Sequence, residues 1–103
     1  MSRLLTDEEI TRQLADLPGW SRDGDTIRGA YEAPDFLAGV RLVDEVALHA
    51  EQLDHHPDID IRWRTVIFVL STHSAGGLTQ LDVELAHLVA AEAARLGATA
   101  QTT

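Results

Sequence analysis

Two strand-like runs separated by a short turn constrain this chain more than any other feature. In the first, Ile59, Ile61 and Trp63 alternate with Asp60 and Arg62, the period of a half-buried strand. In the second, Val66 to Leu70 is apolar on both faces, as in a central or covered strand. Joined through Arg64-Thr65 they form a hairpin, although that pair is not a favoured turn sequence. In a hairpin the start of the first strand and the end of the second are neighbours. His55-His56-Pro57 precedes the first strand, and Ser71-Thr72-His73 follows the second. The pairing therefore carries His73 back toward His55 and His56.

The rest of the chain supplies partners for that hairpin. Thr6 opens a first helix, with Glu9 at capping-box spacing and Leu5 and Ile10 placed for a hydrophobic staple. Pro18-Gly19 ends it, and Trp20 follows at the edge of the turn. Trp20 to Glu32 reads as another hairpin around Asp23-Gly24, with Ile27 and Tyr31 on one side and Gly29 weakening the second strand. Pro34-Asp35 starts a long helix that runs to Ala50 or Leu53. Its stripes Phe36, Val40, Val43, Ala47, Ala50 and Leu42, Val46, Leu53 cover about 160°, wider than one sheet contact needs. The helix is expected to pack on its own sheet and on another subunit. Thr79 caps a last helix with Leu81, Leu85 and Leu88 on its buried face, ending at Gly97. The order is α-β-β-α-β-β-α. The expectation is an α+β fold, a four-stranded antiparallel sheet with three helices packed on one face. Residues 1–103 are read as one domain, with 97–103 as a frayed tail.

Composition narrows the function classes. Eight Lys+Arg against seventeen Asp+Glu give a net charge of −9, which repels phosphate backbones and anionic lipid. Nucleic acid and membrane are therefore poor partners. With no cysteine, disulfides, thiolate chemistry and sulfur-ligated zinc are excluded. The start, MSRLLTDEE, lacks the apolar run of a secretion signal, and no stretch is long enough to span a bilayer. The chain is read as cytoplasmic.

Each chemistry-bearing residue also has a bland reading. Two adjacent histidines before a proline are more often solvated loop residues than a site. The approach of His73 weighs against that, because three imidazoles at one sheet end can give and take protons near neutrality. His56, Asp58 and His73 formally resemble a two-histidine, one-carboxylate iron triad, but Asp58 is equally an exposed strand start. Asp82, three residues after Thr79, serves as a helix cap. Glu51 suits a solvated helix face, and Trp20 and Trp63 suit the core. His49 and His87 lie on helices without partners in sequence and are read as surface or packing residues.

Glu51-x3-His55-His56-Pro57, Trp63, His73 and Asp82, at their spacings, resemble the signature of the pterin-4a-carbinolamine dehydratase family. The resemblance extends to Gly19-Trp20, to Ala50 through Pro57 and to Leu70-Ser71-Thr72-His73, and covers the chain to about Leu96. It implies a hydro-lyase, 4a-hydroxytetrahydrobiopterin dehydratase, that takes water from 4a-hydroxytetrahydropterin to give quinonoid dihydropterin. That reaction supports tetrahydropterin recycling beside an aromatic amino acid hydroxylase. His55, His56 and His73 are then the catalytic set, and Glu51, Asp82, Trp20, Ser71 and Thr72 bind or orient. No metal and no redox cofactor is expected. The resemblance also implies a homotetramer or dimer, in line with the wide apolar arc on the second helix. A pterin-binding or assembly module without turnover is the alternative.

Overall fold

The computed structural model describes residues 3–101. In chain order the elements are α1 (Asp7–Leu14), β1 (Ser21–Asp23), β2 (Thr26–Glu32), α2 (Phe36–Leu53), β3 (Asp58–Arg62), β4 (Thr65–Leu70), α3 (Gln80–Arg95) and β5 (Thr99–Ala100). A single 3-10 turn, His73–Ala75, lies between β4 and α3. The sheet is antiparallel in the order β1-β2-β4-β3.

Strand parity decides which face the helices cover. Ile27, Gly29 and Tyr31 on β2 pair with Leu70, Phe68 and Val66 on β4. All six are buried and form the floor of the core. Leu42 and Val46 of α2 and Leu85 and Val89 of α3 close over it and are fully buried. The opposite face carries Arg28, Glu32, Thr65, Ile67 and Val69, all half-buried. The helices thus lie on one face, as the patterning predicts.

The helix starts follow their caps. Thr6 and Glu9 form the expected reciprocal box. Asp35 caps α2, its carboxylate accepting from the Ala38 N–H at 2.8 Å. Gly29 is not a weak point of β2 but a requirement. A Cβ there would come within 2.3 Å of the Trp20 indole, which lies against the bare backbone. Trp20 is buried, and its Nε1–H donates to the Tyr31 hydroxyl at 2.7 Å.

Four expectations change. The strand β3 is exposed along its whole length, not half-buried. It occupies the sheet edge, so even Ile59 and Ile61, which point to the helix side, are covered from one direction only. The turn is Trp63-Arg64, because Arg62 pairs with Thr65. Trp63 takes a left-handed φ of 54° and is 74% exposed rather than core. Arg64 anchors this conformation. Its guanidinium sits 5.2 Å over the Trp63 ring and donates to the Ala33 carbonyl, while its own carbonyl accepts from the Ala33 N–H. Finally, the stretch expected to fray is paired through Gln101. Thr99 and Ala100 pair with Glu32 and Tyr31, and Gln101 N–H donates to the Ala30 carbonyl at 2.8 Å. Thr102 and Thr103 lie outside the described residues.

Candidate active site

The site is assembled where α2 ends and β4 ends. Asp54 stops α2 in the left-handed conformation, with φ 49° and ψ 45°. The N–H of His55 then bonds back to the Ala50 carbonyl at 3.0 Å, the closure of a Schellman turn. This reversal tucks His55 under the sheet end and leaves His56 outside. Asp58 pairs with Val69, which ends the ladder beside the strand end that leads to Thr72.

His55 and Thr72 meet on one carboxylate. His55 Nε2 lies 2.6 Å from Asp82 Oδ1. The Thr72 hydroxyl donates to Asp82 Oδ2 at 2.7 Å, and the Thr79 N–H donates to the same oxygen at 2.9 Å. The hydroxyls of Thr72 and Thr79 are 2.8 Å apart. Asp82 is fully buried, and His55, Thr72 and Thr79 are nearly so. A buried carboxylate is tolerated where donors compensate for its lost hydration, as three do here. Asp82 therefore caps α3 and holds a histidine at once.

The other site residues take different positions. His56 Nε2 hydrogen-bonds Glu51 Oε2, one turn up on α2, and both side chains are more than half exposed. His73 is exposed on the 3-10 turn, and its imidazole has no hydrogen-bond partner among the described residues. That turn belongs to a tight loop closed by the Thr72 N–H on the Gly77 carbonyl, with Gly76 at φ 77°. The Ser71 hydroxyl donates to the Asp25 carbonyl and fastens the loop to the β1–β2 turn. Trp20, which the resemblance sets among the binding or orienting residues, is in the core against Gly29 and Tyr31.

His49 and His87 stand apart. His49 Nε2 meets Glu92 at 2.8 Å across α2 and α3, and His87 is exposed on α3. Glu92 is held below the usual carboxylate range, first by its hydrogen bond with His49 and then by that with Arg95. Thr79 is the site residue that sequence reasoning missed. It reads as an N-cap, and nothing in the sequence shows that its hydroxyl reaches Thr72. Among the described residues no three His, Asp or Glu side chains are placed to hold a metal ion. An open hollow of about 520 Å³ lies on the uncovered sheet face, lined by Arg28, Asp58, Ile59, Asp60, Arg62, Ile67 and Val69. None of the histidines lines it.

Chemically, the arrangement offers a fixed buried imidazole, a solvent-facing imidazole beside a carboxylate, and an unbonded imidazole on a loop. That set can bind a neutral polar ligand and move protons on it.

The model of the family described as Pterin 4 alpha carbinolamine dehydratase matches residues 3–91. A relative from Mycobacteroides abscessus is 58% identical over 86 residues, 84% of this chain and 92% of its own. One from Nocardia farcinica is 57% identical over 88 residues, 85% of this chain and 93% of its own. Both carry the provisional name pterin-4-alpha-carbinolamine dehydratase. A crystal structure from Brucella melitensis, described as a transcriptional coactivator/pterin dehydratase, superposes with a TM-score of 0.85. It is 33% identical, and the match covers 88% of this chain and 99% of that one.

Proposed function

The chain belongs to the pterin 4 alpha carbinolamine dehydratase family, and on that premise we propose that it dehydrates 4a-hydroxytetrahydropterin to quinonoid dihydropterin by histidine acid–base catalysis. The observation that carries this reading is the buried Asp82 carboxylate, which holds His55 beside Thr72 at the strand end that leads to His73. A ring fixed in that way is prepared for proton transfer rather than for packing.

The reaction asks for two proton movements. N5 gives up its proton, and its electron pair forms the N5–C4a double bond as the C4a–O bond breaks. The departing hydroxyl takes a proton and leaves as water. His55, His56 and His73 carry these transfers and hold the substrate. Glu51 orients His56, and Asp82 with Thr72 orients His55. Trp20 supports the site from the core through Gly29 and Tyr31, and Ser71 fixes the loop that bears His73. The substrate is a 4a-hydroxytetrahydropterin of the biopterin type, supplied by an aromatic amino acid hydroxylase in the cytoplasm. The protein works as a homo-oligomer, a tetramer or a dimer.

The second reading, a pterin-binding or assembly module without turnover, draws on the Brucella protein's description as a coactivator. A net charge of −9 disfavours direct nucleic-acid binding in that role. An assay on synthetic 4a-hydroxytetrahydropterin separates the two. The expected result is loss of the 4a-adduct well above the uncatalysed rate, and no acceleration by folded protein would leave only the binding module.

A further inference from the structure

We infer that Thr79, acting through Thr72 and Asp82, is a positioning residue that fixes the tautomer of His55 and presents Nδ1 as its reacting nitrogen. The inference rests on the dehydratase reading and adds to it the direction of every proton in the buried network.

The network can be filled with hydrogens in one way. Asp82 Oδ2 already accepts the Thr79 N–H and the Thr72 O–H. A hydroxyl has a single hydrogen, so Thr72 has none left for Thr79. The contact between their oxygens is therefore made by the Thr79 hydroxyl donating to Thr72 Oγ1. The chain of donors runs from Thr79 to Thr72 to Asp82, and each link polarises the next. Asp82 sits at the N-terminus of α3, where the helix dipole also favours negative charge. With Oδ2 occupied by two donors, Oδ1 is the acceptor for His55, and the proton between them resides on Nε2.

That leaves Nδ1. No buried side-chain nitrogen or oxygen among the described residues lacks a partner. Nδ1 of His55 makes no hydrogen bond among the described residues, so it is the atom through which this buried ring reaches the surface. In its neutral form the ring can only accept at Nδ1, and once charged it donates from the same atom, with Nε2 held on Asp82 throughout. Thr79 never touches substrate. It acts by donating to Thr72 Oγ1, which strengthens the Thr72 bond to Asp82 and so keeps the carboxylate aimed at Nε2.

The test combines spectroscopy and kinetics. Nitrogen-15 NMR of the neutral wild-type protein should show His55 as a single Nε2–H tautomer. In Thr79→Val the tautomer should become mixed. kcat should fall about tenfold, short of the 10²-fold or more of a lone acid or base. KM should change little. Thr79→Ser, which restores the donor, should recover most of the lost rate and the single tautomer, an effect that mere packing does not give. A folded Thr79→Val with unchanged kcat and an unmixed tautomer overturns the proposal. So does a wild-type His55 protonated on Nδ1, which decides the matter even if the valine variant does not fold. The tautomer is read with or without turnover, so failure of the dehydratase reading remains distinguishable from failure of this one.

Discussion

Replacing His55, His56 or His73 with Ala should lower kcat by about 10²- to 10⁴-fold each, because each removes a group that moves or orients a proton. Circular dichroism should show the fold retained in all three. His49→Ala is the contrast. Its ring meets Glu92 between α2 and α3, so its loss should lower the melting temperature while turnover stays near wild type. If His49→Ala damages turnover as much as His56→Ala in a folded protein, the site is misplaced. Asp82→Ala should lower both. It leaves a buried Thr79 N–H and the Thr72 hydroxyl without their acceptor, at about 1–3 kcal/mol, and it releases His55. Melting temperature and rate measured on the same sample separate the two effects. In sequence, Asp82 shows its capping role by its distance from Thr79. Its role at His55 depends on two segments meeting across the sheet end, which no local spacing encodes.

At the scale of elements, α1 carries a pH signature at its cap. Glu9 is held down to about 2 from 4.5, first by its hydrogen bond with Arg3 and then by the Thr6 backbone N–H. A carboxylate whose folded pKa is depressed stabilises the fold above its unfolded pKa, and that contribution is lost as pH falls through the folded value. The melting-temperature gap between wild type and Glu9→Gln should therefore be present at neutral pH, shrink between about 4.5 and 2, and be gone below. A gap that is flat across that window would mean the cap is not electrostatic. In β2, Gly29→Ala should cost about 1–3 kcal/mol in denaturant unfolding, since the new methyl meets an indole that is walled in by the core. The sequence shows a glycine in a strand. It does not show Trp20 lying on it, because the two belong to segments that pack face on rather than side by side.

For the whole molecule, the described residues leave several large apolar side chains uncovered. Leu37 and Leu48 of α2 are 65% and 61% exposed, Phe36 is half exposed, and Trp63 stands out at the free edge beside β3. On α2 the Leu42 and Val46 stripe is spent on the chain's own core, and Phe36 and Ala47 face outward. Exposed apolar area of this kind marks a contact surface. Light scattering at micromolar concentration should show a tetramer or a dimer, and Leu37→Glu combined with Leu48→Glu should reduce it while the circular dichroism spectrum is preserved. A monomeric wild type would remove the basis for the oligomer.

Sequence by itself determined the kinds of element, their order and both hairpins, because these follow from short-range periodicity, caps and turns. It also determined that α2 has more apolar surface than one sheet absorbs. Only the tertiary structure decided that β3 is an edge, since strand order in a sheet is set by how the hairpins pack and not by any strand's own pattern. It also put Trp63 in a left-handed turn held by Arg64 and Ala33, and paired Thr99–Ala100 with β2. Above all it placed Thr79, Thr72, Asp82 and His55 on one hydrogen-bonded line, because a buried carboxylate collects its donors from whatever elements the fold packs against it.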